Sequence, residues 1–291
     1  MMRERQFITP SRCVSPISTM LPMLRIVFYQ QEIIWNDPAA NRDKVKRAFE
    51  VVGQSADLLI VPETFTCGFG SGMIEFAESP QGPTWQFMRQ MAEEHDAMVV
   101  GTWPVADLNA GGQPVVFNRL HWVGPDGKGG HYDKRHTFRM SSEAQMIERG
   151  SSAASFEWRG WRIRPAICYD LRFPTWLRNR ILPSADGAEK QALLDYDLLL
   201  LCANWPASRR KVWNALLKAR AIENLAFVAG VNCVGRDASG TSYNGGSAVI
   251  DFGGTDLIRA QDDREEVCRF VLDKDSLQEF RLKNPVFLDF D

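Results

Sequence analysis

The chain has 291 residues, of which 45% are hydrophobic and 24% charged, a balance typical of a globular protein with a large core. The 34 basic residues against 36 acidic ones give a net charge of −2 with no basic run, which excludes the charge pattern of a nucleic-acid-binding protein. No apolar run reaches the ~20 residues that span a bilayer, so we expect neither nucleic acid nor membrane as a partner.

Two features of the sequence bear on localisation. Residues 1–22 begin with basic side chains but lack the ~7–15-residue apolar stretch of a signal peptide, and we interpret them as a loose leader. Met23 directly precedes a strand pattern and is therefore a candidate start of translation. The six cysteines, which are widely scattered and form no C-x-x-C motif, predict free thiols in a reducing cytoplasm. They are Cys13, Cys67, Cys168, Cys202, Cys233 and Cys268.

Apolar and amphipathic segments alternate along the rest of the chain. The predicted strands cover residues 24–33, 56–64, 97–105, 161–170, 196–206, 226–235, 245–254 and 266–274, with two further short strands and a Pro-Asp-Gly turn within 114–128. The predicted helices cover residues 38–54, 83–96, 208–225 and 276–284. This order is typical of a layered α/β fold. Residues 182–195 are predicted to be a polar surface insertion, and no linker divides the chain, so we expect one domain over residues 23–291.

A cysteine follows the apolar run in "RPAICYDLRFP", residues 164–174. The end of a central strand opens into the crevice where α/β sheets bind ligands, so Cys168 is a candidate nucleophile. The amide of Tyr169 would then be placed to donate to an oxyanion. From position alone, a small buried core residue is an equally good interpretation of this cysteine. The four histidines show no zinc-ligand spacing, and no metal is expected.

A thiol with its ordinary pKa of ~8.5 needs a base and a positive neighbour to react at neutral pH. "LLIVPETF" ends an apolar strand in Glu63, and "HYDKRHTF" contains Lys134 after the predicted hairpin. Judged separately, Glu63 is more often a solvated strand end or a helix cap, and Lys134 a surface charge. Together with Cys168 they would supply a carboxylate, a cation and a thiol from three strand ends.

The motifs "VPETF", "YDKRHTF" and "CYDLRFP", in this order, resemble the Glu-Lys-Cys signature of the nitrilase superfamily of carbon–nitrogen hydrolases. "NWPASRRKVWNALLKARAIEN" and "FVAGVNCVG" also resemble this family, and the similarity covers the chain from about residue 24 to about residue 285. It is closest to the bacterial ω-amidase branch, which acts on short dicarboxylate monoamides. The resemblance implies a four-layer α-β-β-α sandwich, usually assembled into homodimers or larger homo-oligomers through the outer helices.

The same resemblance implies a role for each motif residue. Glu63 matches the general base, Lys134 the cationic member and Cys168 the nucleophile. Glu143 falls where these enzymes often have a second glutamate, although Glu148 lies close by, and a surface helix position is the alternative for both.

The implied reaction is hydrolysis of an ω-amide, such as that of 2-oxoglutaramate or succinamate, to acid and ammonia through a cysteine acyl-thioester, without metal or organic cofactor. Nitrile hydrolysis, carbamoyl-amine cleavage and a non-catalytic scaffold relative remain alternatives. Three aromatic or charged residues are candidate substrate contacts. Arg172 would pair with a substrate carboxylate, or else hold Asp170 or another acid in a structural ion pair. Trp205 would form a wall of the pocket or pack under the following helix, and Phe138 is a further pocket candidate.

Overall fold

A computed structural model describes residues 23–51, 56–182 and 194–289. The predicted leader, Cys13 and most of the predicted insertion at 182–195 lie outside the described residues. Within the described ranges, no helix combines the length and the apolar content needed to cross a bilayer.

Fourteen strands and six α-helices make up the described part of the chain. The strands are β1 Met23–Gln30, β2 Leu58–Ile60, β3 Met98–Leu108, β4 Pro114–Val123, β5 Gly129–Asp133, β6 Phe156–Trp158, β7 Trp161–Ile167, β8 Leu198–Cys202, β9 Phe227–Val231, β10 Val234–Arg236, β11 Ser242–Asn244, β12 Ala248–Ile250, β13 Asp256–Arg259 and β14 Glu266–Asp273. The helices are α1 Pro38–Glu50, α2 Pro83–His95, α3 Glu143–Met146, α4 Pro174–Leu177, α5 Arg210–Asn224 and α6 Lys274–Lys283.

The strands form two six-stranded sheets and one small hairpin. The first sheet has the order β14-β1-β2-β3-β4-β5, and the second has the order β13-β12-β9-β8-β7-β6. Strands β1, β2 and β3 are parallel, as are β7, β8 and β9, so the carboxyl ends of each set lie at one edge of their sheet. Strands β10 and β11 pair with each other as the hairpin.

The two sheets pack face to face, and helices cover their outer faces. Along β1, Ile26 and Phe28 point into the core between the sheets, whereas Val27 faces α1 and α2, as the two-residue period of a strand requires. In the second sheet, Leu200 joins the central core, whereas Leu199 packs in the outer cluster that includes α5. This arrangement confirms the predicted α-β-β-α sandwich.

Several predicted strands were too long at their carboxyl ends. The strand predicted over 56–64 ends at Ile60, and the one predicted over 161–170 ends at Ile167, where a 3-10 turn begins. After Ile60 the apolar character continues because the following turn is buried, whereas after Ile167 the chain turns at once into the half-buried Cys168 and Tyr169. The two short strands predicted within 114–128 are one ten-residue strand, β4, and its hairpin partner β5 follows the Pro-Asp-Gly turn.

Candidate active site

The predicted site residues lie where the ends of strands from both sheets meet. Glu63 lies in the turn after β2, Lys134 directly follows β5, and Glu143 begins α3. Cys168 follows β7 in the second sheet. The sandwich therefore brings the three motifs together from positions far apart in the sequence.

Lys134 lies between two carboxylates and is completely buried. Its Nζ donates to Glu63 Oε1 at 2.8 Å and to the two Glu143 oxygens at 2.8 and 3.0 Å. Both glutamate side chains are at most 1% exposed. Glu148, the alternative to Glu143, is exposed, and its backbone bridges to β4, with its amide donating to the Val116 carbonyl.

This packing shifts the pKa values of the cluster. Burial alone would lower the pKa of Lys134, but the carboxylates of Glu143 and Glu63 outweigh it and raise the pKa. Burial raises the pKa of Glu143, and the Lys134 cation only partly opposes this rise. Lys134 therefore stays protonated, which suits an electrostatic role and not that of a base.

Asn118 and Asn204 donate to the predicted site carboxylates, and sequence reasoning missed both. The Asn118 amide donates to Glu63 at 2.8 Å and to Glu143 at 3.2 Å. The Asn204 backbone N–H donates to Glu63 Oε2 at 2.8 Å. The sequence does contain a signal for both. One asparagine lies in the middle of the apolar strand "VVFNRL" and the other at the end of "LLLLCAN". A buried amide needs hydrogen-bond partners, so each position indicates a nearby polar group.

Cys168 has an unusual backbone conformation, with φ of +42°, at the first residue of the 3-10 turn. Non-glycine residues with positive φ are strained and are concentrated at functional sites. The Cys168 Sγ lies 3.9 Å from the Asn204 carbonyl oxygen. The pKa of this thiol is well above its usual range. Burial is the largest cause, and the negative charge of Glu63 adds to it. The positive charge of Lys134 acts in the opposite direction but does not cancel the rise. The thiol is therefore protonated at neutral pH and requires a base.

Asp170 holds the strained turn against the loop that contains Lys134. Its carboxylate accepts hydrogen bonds from the Ile167 amide at 3.1 Å and from the Tyr132 hydroxyl at 2.8 Å. It also accepts a hydrogen bond from the His136 backbone amide at 2.9 Å, and the His136 Nδ1 atom lies 2.8 Å from the same carboxylate oxygen. Because Tyr132 and His136 flank Lys134, one buried carboxylate ties the cation to the nucleophile.

A cavity of about 690 Å³ opens beside Cys168, and Lys134 also lines it. The predicted residues Phe138, Tyr169, Arg172 and Trp205 all contribute to its wall. The Tyr169 ring lies 5.1 Å from the Phe138 ring, and the Tyr169 amide is the second of the 3-10 turn.

Arg172 is exposed, with its guanidinium 5.6 Å from the centre of the Trp205 ring. Asp170 accepts its hydrogen bonds from other residues, so the alternative Arg172–Asp170 ion pair does not form. Trp205 both lines the cavity and packs against Trp213 of α5. Within the described ranges, no group of three His, Cys, Asp or Glu side chains is placed to bind a metal ion.

The chain is similar to known proteins over most of its length. Residues 25–282 match the family model for carbon–nitrogen hydrolases. The omega-amidase YafV of Escherichia coli (strain K12) is 40% identical over 93% of this chain and 98% of its own length. The 2-oxoglutaramate amidase of Bacillus subtilis (strain 168) is 30% identical over 89% of this chain and 95% of its own.

Among solved structures, a CN-hydrolase superfamily protein from Xanthomonas campestris, with an arsenic adduct in its active site, superposes with a TM-score of 0.86. It is 42% identical, and the match covers 93% of this chain and 98% of that one. The fold and the sequence therefore lead to one conclusion: the chain belongs to the carbon–nitrogen hydrolase family of the nitrilase superfamily.

Proposed function

We propose that this enzyme hydrolyses the ω-amide of a short dicarboxylate, such as 2-oxoglutaramate or succinamate, to the dicarboxylate and ammonia. Amide hydrolysis is supported by the omega-amidase of Escherichia coli, which is 40% identical over 93% of the chain. The main structural support is the buried Glu63–Lys134–Glu143 cluster, with Lys134 lining the same cavity as the Cys168 thiol. The choice of substrate follows the names of the omega-amidase and 2-oxoglutaramate amidase relatives.

In the first half of the reaction, Glu63 takes the thiol proton as Cys168 Sγ attacks the amide carbonyl. The new S–C bond produces a tetrahedral oxyanion, which the Lys134 ammonium and the Tyr169 amide stabilise. The C–N bond then breaks, and protonated Glu63 returns its proton to the departing ammonia. The raised pKa of the Cys168 thiol makes this proton transfer necessary.

In the second half, water replaces ammonia at the acyl-thioester. Glu63 removes a proton from the water as it attacks, and the collapse of the second tetrahedral species breaks the C–S bond, releases the carboxylic acid and returns the Glu63 proton to the Cys168 sulfur. Glu143 acts through Lys134, to which it bonds with both oxygens, and the Phe138 amide fixes it at 2.6 Å. It is a positioning residue in this mechanism.

The test is ammonia release from 2-oxoglutaramate and succinamate by the wild type, Cys168→Ala and the control Cys268→Ala. Cys268 lies on β14, away from the cavity, so its replacement should leave the rate unchanged. Cys168→Ala should lower kcat by more than ~10³, since the nucleophile is lost. Release that survives in Cys168→Ala would refute the proposed nucleophile. Wild-type activity found only on a nitrile or a carbamoyl-amine would refute the proposed substrate class.

We further propose a cytoplasmic homodimer or larger homo-oligomer. The supporting observation for the oligomer is that α5, α6 and the segment after α6 expose apolar side chains: Ile222, Leu282, Val286 and Leu288. Light scattering coupled to size-exclusion chromatography would give the mass in solution, and a monomer would contradict the proposal.

A further inference from the structure

We infer that Arg209 and Arg172 form a subsite for the free carboxylate of the substrate, with Arg209 as the principal contact. The inference rests on the proposed function, because it assigns a binding site to the carboxylate end of the same dicarboxylate monoamide. Both residues line the cavity that contains Cys168.

The two guanidinium groups share an unusual arrangement. The Arg209 Cζ lies 4.7 Å from the centre of the Phe138 ring, and the Arg172 Cζ lies 5.6 Å from that of Trp205. Neither forms an ion pair with a carboxylate of the described residues, whereas neighbouring Arg210 bonds to Asp262. Stacking on an aromatic face orients the guanidinium plane and leaves its N–H edges available.

The rest of the cavity neutralises these two charges only in part. Lys134 is already balanced by two carboxylates. Asp237 is the one acidic residue that the described part of the chain contributes to the cavity wall. Its carboxylate accepts hydrogen bonds within its own hairpin, from the Thr241 amide at 2.9 Å and the Ser239 hydroxyl at 2.7 Å. The cavity mouth is therefore cationic and suits an anionic ligand.

The position of Arg209 also disfavours a purely structural role. It is the residue that precedes α5, and Arg210 and Lys211 follow it in the first turn, which contains no acidic side chain. The amino end of a helix has a positive partial charge, so cations there cost stability. Asp262 compensates Arg210, but no described carboxylate compensates Arg209. A residue that opposes the local charge preference of a helix without a carboxylate partner is typical of a functional site.

Both aromatic supports are directly linked to the catalytic cluster. The Phe138 amide donates to Glu143, and Trp205 follows Asn204, whose carbonyl contacts Cys168 Sγ. Each guanidinium therefore stacks on an aromatic residue whose own backbone, or that of its neighbour, contacts the catalytic cluster. A four- or five-carbon monoamide with its amide carbon at Cys168 would direct its carboxylate towards them, and the forked guanidinium matches a carboxylate in two parallel hydrogen bonds.

The test compares succinamate with butyramide, a neutral amide of the same chain length in which a methyl group replaces the carboxylate. Arg209→Leu should lower kcat/KM for succinamate about 10- to 100-fold, the loss expected for a hydrogen bond to a charged group. The rate on butyramide should stay within about threefold, and Arg209→Lys should restore part of the loss. Arg172→Leu should show the same selectivity with a smaller loss, because its guanidinium is exposed.

Lys211→Leu is the matched control, since it removes the same charge from the same helical turn but lies exposed outside the cavity. It should leave both rates unchanged. An equal loss on both substrates in Arg209→Leu would overturn the subsite, because a structural defect would not distinguish them. If the wild type hydrolyses neither amide, the proposed function fails, and calorimetry with succinate then decides the inference alone. Succinate binding that disappears in Arg209→Leu supports it, and equal binding in both proteins overturns it.

Discussion

Replacing Asn118 by leucine should change the pH dependence of the reaction and not only its rate. Asn118 is fully buried, and its Nδ2 donates to Glu63 at 2.8 Å and to Glu143 at 3.2 Å. Its own orientation is fixed by the Thr102 hydroxyl, which lies 3.1 Å from Asn118 Oδ1. Leucine has a similar volume but no donors, so the variant removes the two hydrogen bonds with little change in packing.

The magnitude follows from the bonds that are lost. A hydrogen bond to a charged group contributes about 1.5–3 kcal/mol, and one pKa unit corresponds to about 1.4 kcal/mol. Burial already raises the pKa of Glu143, and the Asn118 donor favours its ionised form. Loss of that donor should raise the pKa further, by about 1–2 units. Since the ionised carboxylate holds Lys134, the acidic limb of the pH profile should move to higher pH by the same amount.

The assay is kcat/KM for ammonia release, measured across the acidic and neutral range for the wild type and Asn118→Leu. Thermal unfolding of both proteins shows whether the variant is folded. An Asn118→Asp variant adds a third carboxylate beside two others, so its acidic limb should move in the same direction. If activity falls while the limb stays in place in a folded variant, Asn118 only supports the structure and the reasoning is refuted.

Three further outcomes follow from buried charges. Glu63→Gln removes the base that takes the proton of the Cys168 thiol, whose pKa burial raises, so alkylation of Cys168 by iodoacetamide near neutral pH should slow and ammonia release should fall at least ~100-fold; unchanged alkylation would contradict this assignment. Asp170→Asn weakens a fully buried acceptor that ties two loops together, so it should lower the free energy of unfolding by about 2–4 kcal/mol. Urea titration measures this difference, and a loss below about 0.5 kcal/mol would contradict the expectation. Burial alone would raise the pKa of Asp197, but Arg281 and other cations lower it, so its stabilising effect exists above the ordinary pKa of ~3.9 and is lost as pH falls through the lowered value. The stability difference between wild type and Asp197→Asn should therefore be largest near neutral pH and shrink in acid, and a constant difference would argue against this linkage.

The layered fold was predictable because its strands are continuous apolar runs and its long helices are amphipathic. Helix α5 and strands β7 to β9 lie close to their predicted positions. The short helices α3 and α4 have four residues each, too few for a helical period to be visible. Pairing between distant strands, such as β14 with β1, depends on tertiary packing and has no local signal.

The three motifs indicated which residues to examine, but only the folded arrangement shows how they meet. In the sequence, Glu63 is an ordinary polar residue after an apolar run and Lys134 an ordinary one after a predicted hairpin, and their burial results from the docking of turns over the sheet ends. Asn118 lies on a strand whose period predicts only its face, so its two carboxylate partners could not be identified. Arg209 is the first of three consecutive basic residues in the sequence. Only the structure shows which of the three lines the cavity.

The pairing of β14 with β1 has a consequence for how the protein is synthesised. Met23–Gln30 lies at the start of the described chain, yet one of its edges stays unpaired until Glu266–Asp273, the last strand in chain order, has emerged. An unpaired edge is a template for aggregation, and chains that fold during synthesis meet this risk for as long as the partner is missing. A nascent chain truncated before Glu266 would thus expose the edge of β1, the strand that pairs with β2 just before the Glu63 turn. The first sheet is completed only when its first and last strands in chain order pair, so an interrupted translation product would keep that edge open.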